Sequence, residues 1–196
     1  MRRVNTKEKI MQSARTRFAR EGYEGLSLAA VAEDVGIRKA SLYAHIDGKE
    51  QLFKQVVTDM ANRYEEAWQQ TCEDTKDRPP LERIESIVRM LTSFFSDHET
   101  WMLTKRMLLV PPPEFRDYIE EVIGKVETEL KRFEKEQFRL AMERGDLPSQ
   151  PLDELYAAYY CFLDGALLSL FTFEDEREMR QQAAFRIFKK GVGWNG

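Results

Sequence analysis

The sequence predicts an all-α protein of about nine helices, and three observations carry that expectation. Apolar residues recur at three- and four-residue spacing along nearly the whole chain, with no sustained strand-like alternation. Glycine and proline are few, 10 and 7 in 196 residues. Charged residues make up 33% of the chain and hydrophobic ones 42%, the balance of a helix-rich folded protein rather than a disordered one.

Ile10, Ala14 and Phe18 recur every four residues, so residues 6–20 make an amphipathic first helix, stopped by "EGYEG". Ser27 is placed to cap a short second helix that turns Val31, Ala32 and Val35 inward, and Gly36 suits the left-handed residue that ends it. A third short helix turns Ile37, Leu42 and Ile46 inward. Asp47 and Glu50 stand three apart as a capping box for a long helix, 49–71, with Phe53, Val56, Val57, Met60, Tyr64, Ala67 and Trp68 on its apolar face. "EDTKDRPP", residues 73–80, reads as a hinge or module boundary.

Ile84, Ile87, Val88, Leu91 and Phe95 mark the next helix, and Trp101, Met102, Leu108 and Leu109 a shorter one. After three prolines at 111–113, the period from Phe115 to Leu140 predicts a helix of roughly thirty residues ending at Gly145. "LYAAYYCFLDGALLSLFTF", residues 155–173, has Asp164 as its only charge, close to the length that spans a bilayer. A mid-span Asp costs about 3 kcal/mol on insertion scales. Acids flank both ends without an orienting Lys or Arg cluster, so the segment is expected to be buried in protein. The last helix carries Ala183, Ile187 and Phe188.

Two cysteines far apart, Cys72 and Cys161, and the lack of a signal-type start predict a reducing cytoplasm. Charge is unevenly spread. Residues 1–20 hold seven Lys or Arg against one acid, a net of +6. Residues 1–50 sum to +3, which leaves −7 for the rest of a chain whose total is −4. A basic front on an acidic body predicts a polyanion partner for one end only.

Three short helices with a tight glycine turn between the second and third form the helix-turn-helix pattern, whose third helix enters the major groove of DNA. With Ile37, Leu42 and Ile46 inward, Arg38, Lys39, Ser41, Tyr43 and His45 turn outward. Arg38 and Lys39 can bond guanine edges, Ser41 bases or phosphates, and Tyr43 phosphate, while Ala40 permits close approach to a thymine methyl. Lys49 and Ser27, at helix starts, suit phosphates. His45 is either a phosphate contact or a surface residue, and Arg2 and Arg3 either a minor-groove arm or a tail.

The run "IMQSARTRFAREGYEGLSLAAVAEDVGIRKASLYAHIDGKEQLFKQVV" resembles the TetR family of bacterial transcriptional regulators. The likeness is dense over residues 6–57 and covers the remaining two thirds only in helix count and layout. Two positions depart from the pattern: Arg38 replaces the usual Ser or Thr cap of the third helix, and Ile46 a common aromatic. The resemblance implies that residues matching Ser27, Tyr43 and Lys49 clamp the DNA backbone. It also implies a division into a DNA-binding domain, 1–50, extending into the start of helix 49–71, and a helical effector-binding and dimerisation domain, 51–196.

Within that second domain the small residues Ala158, Gly165, Ala166 and Ser169, with Ile187 on the last helix, are either half of a four-helix dimer interface or internal core. Trp68, Phe94, Phe95, Trp101, Met102, Tyr118, Phe138, Tyr156, Tyr159 and Tyr160 exceed what a plain bundle needs and suit a pocket for an apolar or aromatic effector, core packing being the alternative for any one of them. Only two histidines, no spaced metal ligands, no glycine-rich phosphate loop and no nucleophile elbow leave no catalytic residue or cofactor to nominate. The partners that the resemblance implies are a double-stranded DNA operator, a second copy of the chain and a small-molecule effector, with no membrane expected. A helical adaptor that binds protein through the same surfaces is the rival expectation.

Overall fold

The computed structural model describes residues 5–171 and 174–194. Among them the chain forms nine helices and no strand: α1 (Thr6–Gly25), α2 (Leu28–Val35), α3 (Lys39–Leu42), α4 (Lys49–Asp74), α5 (Pro80–Phe94), α6 (His98–Leu109), α7 (Arg116–Arg144), α8 (Leu152–Leu168) and α9 (Arg177–Gly191). Contacts divide the chain into two compact units. The first takes residues up to Tyr64 together with Asp97–Val126, and the second takes Glu65–Ser96 with Glu127–Gly196. The divisions fall inside α4 and α7. Among the described residues no helix is long and apolar enough to cross a membrane.

In the first unit, α1 begins with a capping box. The Asn5 side chain accepts from the Lys7 amide at 3.2 Å, and the Glu8 carboxylate accepts from the Asn5 amide at 3.1 Å. Ile10, Ala14 and Phe18 are buried, as their spacing predicts. The regular helix breaks at Gly22, whose φ of 73° and ψ of −178° lie outside the range of other residues, and a further turn carries it to Gly25. At this break Arg106 of α6 donates from Nε to the Ala19 carbonyl at 2.8 Å and from a terminal nitrogen to Arg20 at 3.0 Å, satisfying carbonyls that the helix leaves open. Farther up α1, Glu99 of α6 accepts from Thr16 at 2.5 Å and Gln12 at 3.3 Å. Phe18, Tyr23, Phe53 and Phe115 pack ring against ring beneath.

Three local expectations differ from the structure. Ser27 stands at the start of α2 in extended geometry, yet its hydroxyl makes no capping hydrogen bond. The third helix is regular for only one turn and continues to Ile46 through successive tight turns, with His45 and Ile46 amides both donating to Leu42. The box opening α4 links Asp47 to Gln51, not Glu50: the Asp47 amide donates to Gln51 Oε1 at 2.8 Å and Gln51 Nε2 donates back at 2.7 Å. The reason is that Gly48, not Asp47, supplies the first helical carbonyl, to the Leu52 amide, which shifts the pairing by one residue. Glu50 is thereby free to pair with Lys54 at 2.7 Å.

In the second unit Ile84, Ile87 and Leu91 of α5, Phe138 and Ala141 of α7, and Leu155, Tyr159 and Leu163 of α8 are buried. Pro80 occupies the first position of α5, where its missing N–H is not needed. The apolar segment expected over 155–173 is helical from Leu152 only to Leu168; the chain then turns, with the Ser169 hydroxyl bonded back to the Ala166 carbonyl at 2.7 Å. Phe173 and its neighbour at 172 lie outside the described residues. In the core Glu134 is only 2% exposed and accepts from Tyr156 at 3.0 Å and Tyr159 at 2.8 Å. Burial pushes its carboxyl up to about 7, against the opposing pull of the two hydroxyls.

The folded state therefore binds the Glu134 proton more tightly than the unfolded chain, whose carboxyl titrates near its ordinary 4.5. Stability from this group is complete below pH about 4.5 and is lost as pH rises to about 7. Chemical denaturation across this window is expected to show a decline that flattens in Glu134→Gln; an undiminished slope in the variant assigns it elsewhere. Gly36, which ends α2 at φ 74°, ψ 33°, has open space around an added Cβ, so its constraint is purely conformational. Gly36→Ala is expected to lower unfolding free energy by about 1–2 kcal/mol, and an unchanged denaturation midpoint would show the turn to be relaxed.

Candidate nucleic-acid interface

The site is built from the end of α2 onward. The Gly36 amide bonds to the Ala32 and Glu33 carbonyls and the Ile37 amide to Ala32, a left-handed close that redirects the chain into α3. Leu42 and Ile46 are buried at 0% and 2% exposure, and Ile37 is half-buried. These anchors leave Arg38, Lys39, Ala40, Ser41, Tyr43 and His45 exposed on one short segment, Tyr43 at 49%. Arg38 and Lys39 make no ion pair among the described residues, and Arg38, at the start of α3, makes no capping bond. A cation-rich, aromatic edge without internal partners has its hydrogen-bonding capacity directed outward.

One network orients this edge. Asp34, near the end of α2, receives two hydrogen bonds from Arg17, Nε at 2.7 Å and a terminal nitrogen at 2.9 Å, and a third from the Ser13 hydroxyl at 2.6 Å. These donors hold the Asp34 carboxyl down at about 2 and fix α2 on α1. Sequence reasoning missed this trio, because no local pattern distinguishes Asp34 from the adjacent Glu33.

The network also corrects the reading of the basic front. Arg17 is committed to Asp34 and Glu21, and Arg15 to Asp59 at 2.8 Å. Among the described residues of the first helix, Lys7, Lys9 and Arg20 remain as exposed cations. Arg2 and Arg3 lie outside the described residues.

Lys49 is half-buried, and its ammonium donates to the Glu24 carbonyl at 3.0 Å and lies 4.7 Å above the Tyr23 ring. One of its three donors is thus used to hold it beside the loop that leads to Ser27. Ser27 itself is exposed, its hydroxyl uncommitted to the helix.

The ten aromatic and Met effector candidates do not share a unit. Trp101, Met102 and Tyr118 belong to the first, where Trp101 is buried, Met102 half-buried, and the Tyr118 hydroxyl shares a 2.6 Å hydrogen bond with Thr58. Trp68, Phe94, Phe95, Phe138, Tyr156, Tyr159 and Tyr160 belong to the second. There Phe138 and Tyr159 meet edge to face at 5.3 Å inside the core, and Phe94 contacts Phe95. A cavity of about 540 Å³ opens along α7 and α8, lined in part by Thr128, Lys131, Lys135, Tyr156, Tyr160 and Cys161. Of the interface candidates, Ala158, Gly165 and Ile187 are exposed, Ser169 is half-buried and Ala166 is buried within the chain.

The family pattern described as bacterial regulatory proteins, tetR family, matches residues 10–56, which end inside α4. The negative transcriptional regulator IcaR of the biofilm operon icaADBC in Staphylococcus epidermidis is 40% identical over 58 residues, 30% of this chain and 31% of that protein. This chain thus matches less than a third of IcaR, all of the likeness lying in a short stretch. The nucleoid occlusion factor SlmA of Vibrio campbellii is 25% identical over 139 residues, 69% of this chain and 70% of SlmA. Among solved structures, AibR in complex with isovaleryl coenzyme A and operator DNA superposes with a TM-score of 0.71 at 20% identity, covering 95% of this chain and 97% of AibR, a likeness of fold. The likeness to bacterial regulatory proteins of the tetR family is thus carried by residues 10–56, the helix-turn-helix segment.

Proposed function

We propose that the chain is a ligand-responsive repressor of transcription that binds a palindromic operator as a homodimer and is released by a small, mostly apolar or aromatic effector. The carrying observation is the exposed segment Arg38–His45, rich in donors without internal partners and seated by buried Leu42 and Ile46. In this reading Arg38, Lys39 and Ser41 read base edges, Ala40 approaches a thymine methyl, and Ser27, Tyr43, His45 and Lys49 grip phosphates. The description of IcaR as a negative regulator supports repression, and the AibR complex supports both operator and effector as partners.

Two copies would present their third helices to successive major grooves about 34–36 Å apart. The exposed small residues Ala158 and Gly165 of α8, beside exposed Leu168 and with Ile187 of α9, support pairing through these two helices. Effector releases DNA only as far as it prefers the non-binding arrangement of the dimer. The division of labour is a DNA-binding domain over 1–50 with the start of α4, and effector and dimer functions in the remainder. This assigns the chain to the cytoplasm, as a binding protein and not an enzyme.

Selection of bound sequences from random duplex DNA with the purified protein is expected to return a palindrome, and recovery of no shared motif would overturn the reading. Arg38→Ala is expected to cost about 1–3 kcal/mol of binding and to relax preference at one base position. Lys49→Ala and Tyr43→Phe are expected to weaken all sequences alike, Lys49→Ala also lowering the salt slope by about 1. Footprinting and salt titration check these outcomes, with thermal melting confirming that each variant folds. Sequence-specific binding that survives both phosphate-contact changes would place the interface elsewhere.

A further inference from the structure

In the second unit, Arg83 of α5 is a half-buried cation with no carboxylate partner among the described residues. Its terminal nitrogens reach only neutral acceptors, Gln137 Oε1 at 3.2 Å and the Cys72 carbonyl at 3.3 Å, and its guanidinium lies 4.7 Å from the Phe133 ring centre. Its Nε is fully enclosed and has no acceptor. Trp68, whose side chain is only 9% exposed and whose ring centre lies 6.4 Å from that of Phe133, likewise has an enclosed Nε1 without an acceptor. Buried donors without partners are rare because the desolvation cost is not recovered. Two of them beside one aromatic ring, one belonging to a cation without a carboxylate partner among the described residues, are a stronger signal than either alone.

Nearby acids are committed elsewhere. Glu134, next to Phe133, takes the hydroxyls of Tyr156 and Tyr159, and Glu85 of α5 is held by Lys189 at 2.9 Å and by Arg89. Gln137, 3% exposed, is the buried end of the cluster, whereas Cys72, Arg83 and Phe133 are half-exposed.

We propose that Arg83 and Trp68 are the polar anchors of a binding site for a monocarboxylate with an apolar body, the carboxylate accepting from Arg83 Nε and Trp68 Nε1 while the body packs on Phe133. A single unneutralised cation matches a monoanion, and the planar guanidinium and indole N–H suit the two oxygens of a carboxylate. The apolar Phe133 ring beside both donors favours an acid with a hydrocarbon tail over a compact, strongly hydrated anion. That this ligand is the effector rests on the function proposed above; that it binds does not.

The test uses the full-length protein with octanoate and phenylacetate as probes, their neutral amides as matched controls, and inorganic phosphate as a third arm. Binding is read from the rise in melting temperature with ligand concentration. The carboxylates are expected to saturate and to bind at least about ten-fold more tightly than the amides. Arg83→Met is expected to weaken carboxylate binding about ten- to hundred-fold and amide binding little, and Trp68→Phe about five-fold. Trp68→Phe removes the donor while keeping an aromatic ring at the site, and it decides the matter if Arg83→Met does not fold.

Equal affinity for acid and amide, unaltered binding in Trp68→Phe and Arg83→Met, phosphate bound in preference, or no saturable binding of either carboxylate each overturns the site. Operator binding is measured separately on the same samples. Carboxylate binding through Arg83 with undiminished operator affinity keeps the site and removes its role as effector. A protein that binds carboxylate but no DNA fails the regulator reading alone.

Discussion

The carboxylate of Asp34 receives three hydrogen bonds from α1, two from Arg17 and one from Ser13, and the geometry of the first unit follows from that clamp. It lies near the end of α2, two residues before the left-handed Gly36, so whatever fixes Asp34 fixes the direction in which the chain leaves for α3. The apolar contacts of Val31, Ala32, Leu42 and Ile46 supply the burial, but apolar contacts tolerate sliding. A bidentate guanidinium and a hydroxyl at 2.6 Å do not. Specificity of angle comes from the polar trio, and cohesion from the residues under it.

Much of this was legible in the sequence because periodic apolar spacing and helix stops are local signals. Ile10, Ala14 and Phe18 could be placed inside by their period, and Gly36 marked its turn by being the one residue tolerant of positive φ. The long α7 appeared at nearly its expected length, since one uninterrupted period and one closing glycine define it. Where the reading slipped, the deciding partner was elsewhere or one position away. Asp47 pairs with Gln51 because Gly48 takes the first carbonyl, a matter of backbone phase that residue types do not reveal. The segment 155–173 stays apolar beyond the end of α8, so hydropathy alone ran past a boundary made by turn geometry at Ser169.

Charge was the least readable property, because it depends on which residues meet in space. The basic residues of α1 suggested a cationic surface, yet Arg15 and Arg17 neutralise acids from α4 and α2 and serve architecture. Arg83 is the reverse case: in sequence it sits among acids on an amphipathic helix, and in the fold it faces neutral groups. The candidate interface residues were visible for a different reason: with Leu42 and Ile46 anchored inward, helical geometry leaves their neighbours no direction but solvent.

The first unit is discontinuous along the chain, since Arg106 and Glu99 of α6 close on α1 across more than eighty intervening residues. On the ribosome the three N-terminal helices emerge long before the side chains that cap the end of α1 and cover its flank. They must wait, incompletely paired, until α6 and the start of α7 have been made, a loop-closure cost carried by the chain's longest-range contacts. An independent N-terminal fragment would present the Ala19 and Arg20 carbonyls to water at the point where Gly22 already weakens the helix. The candidate interface is in this sense a late product of synthesis, completed by residues that never approach it in sequence.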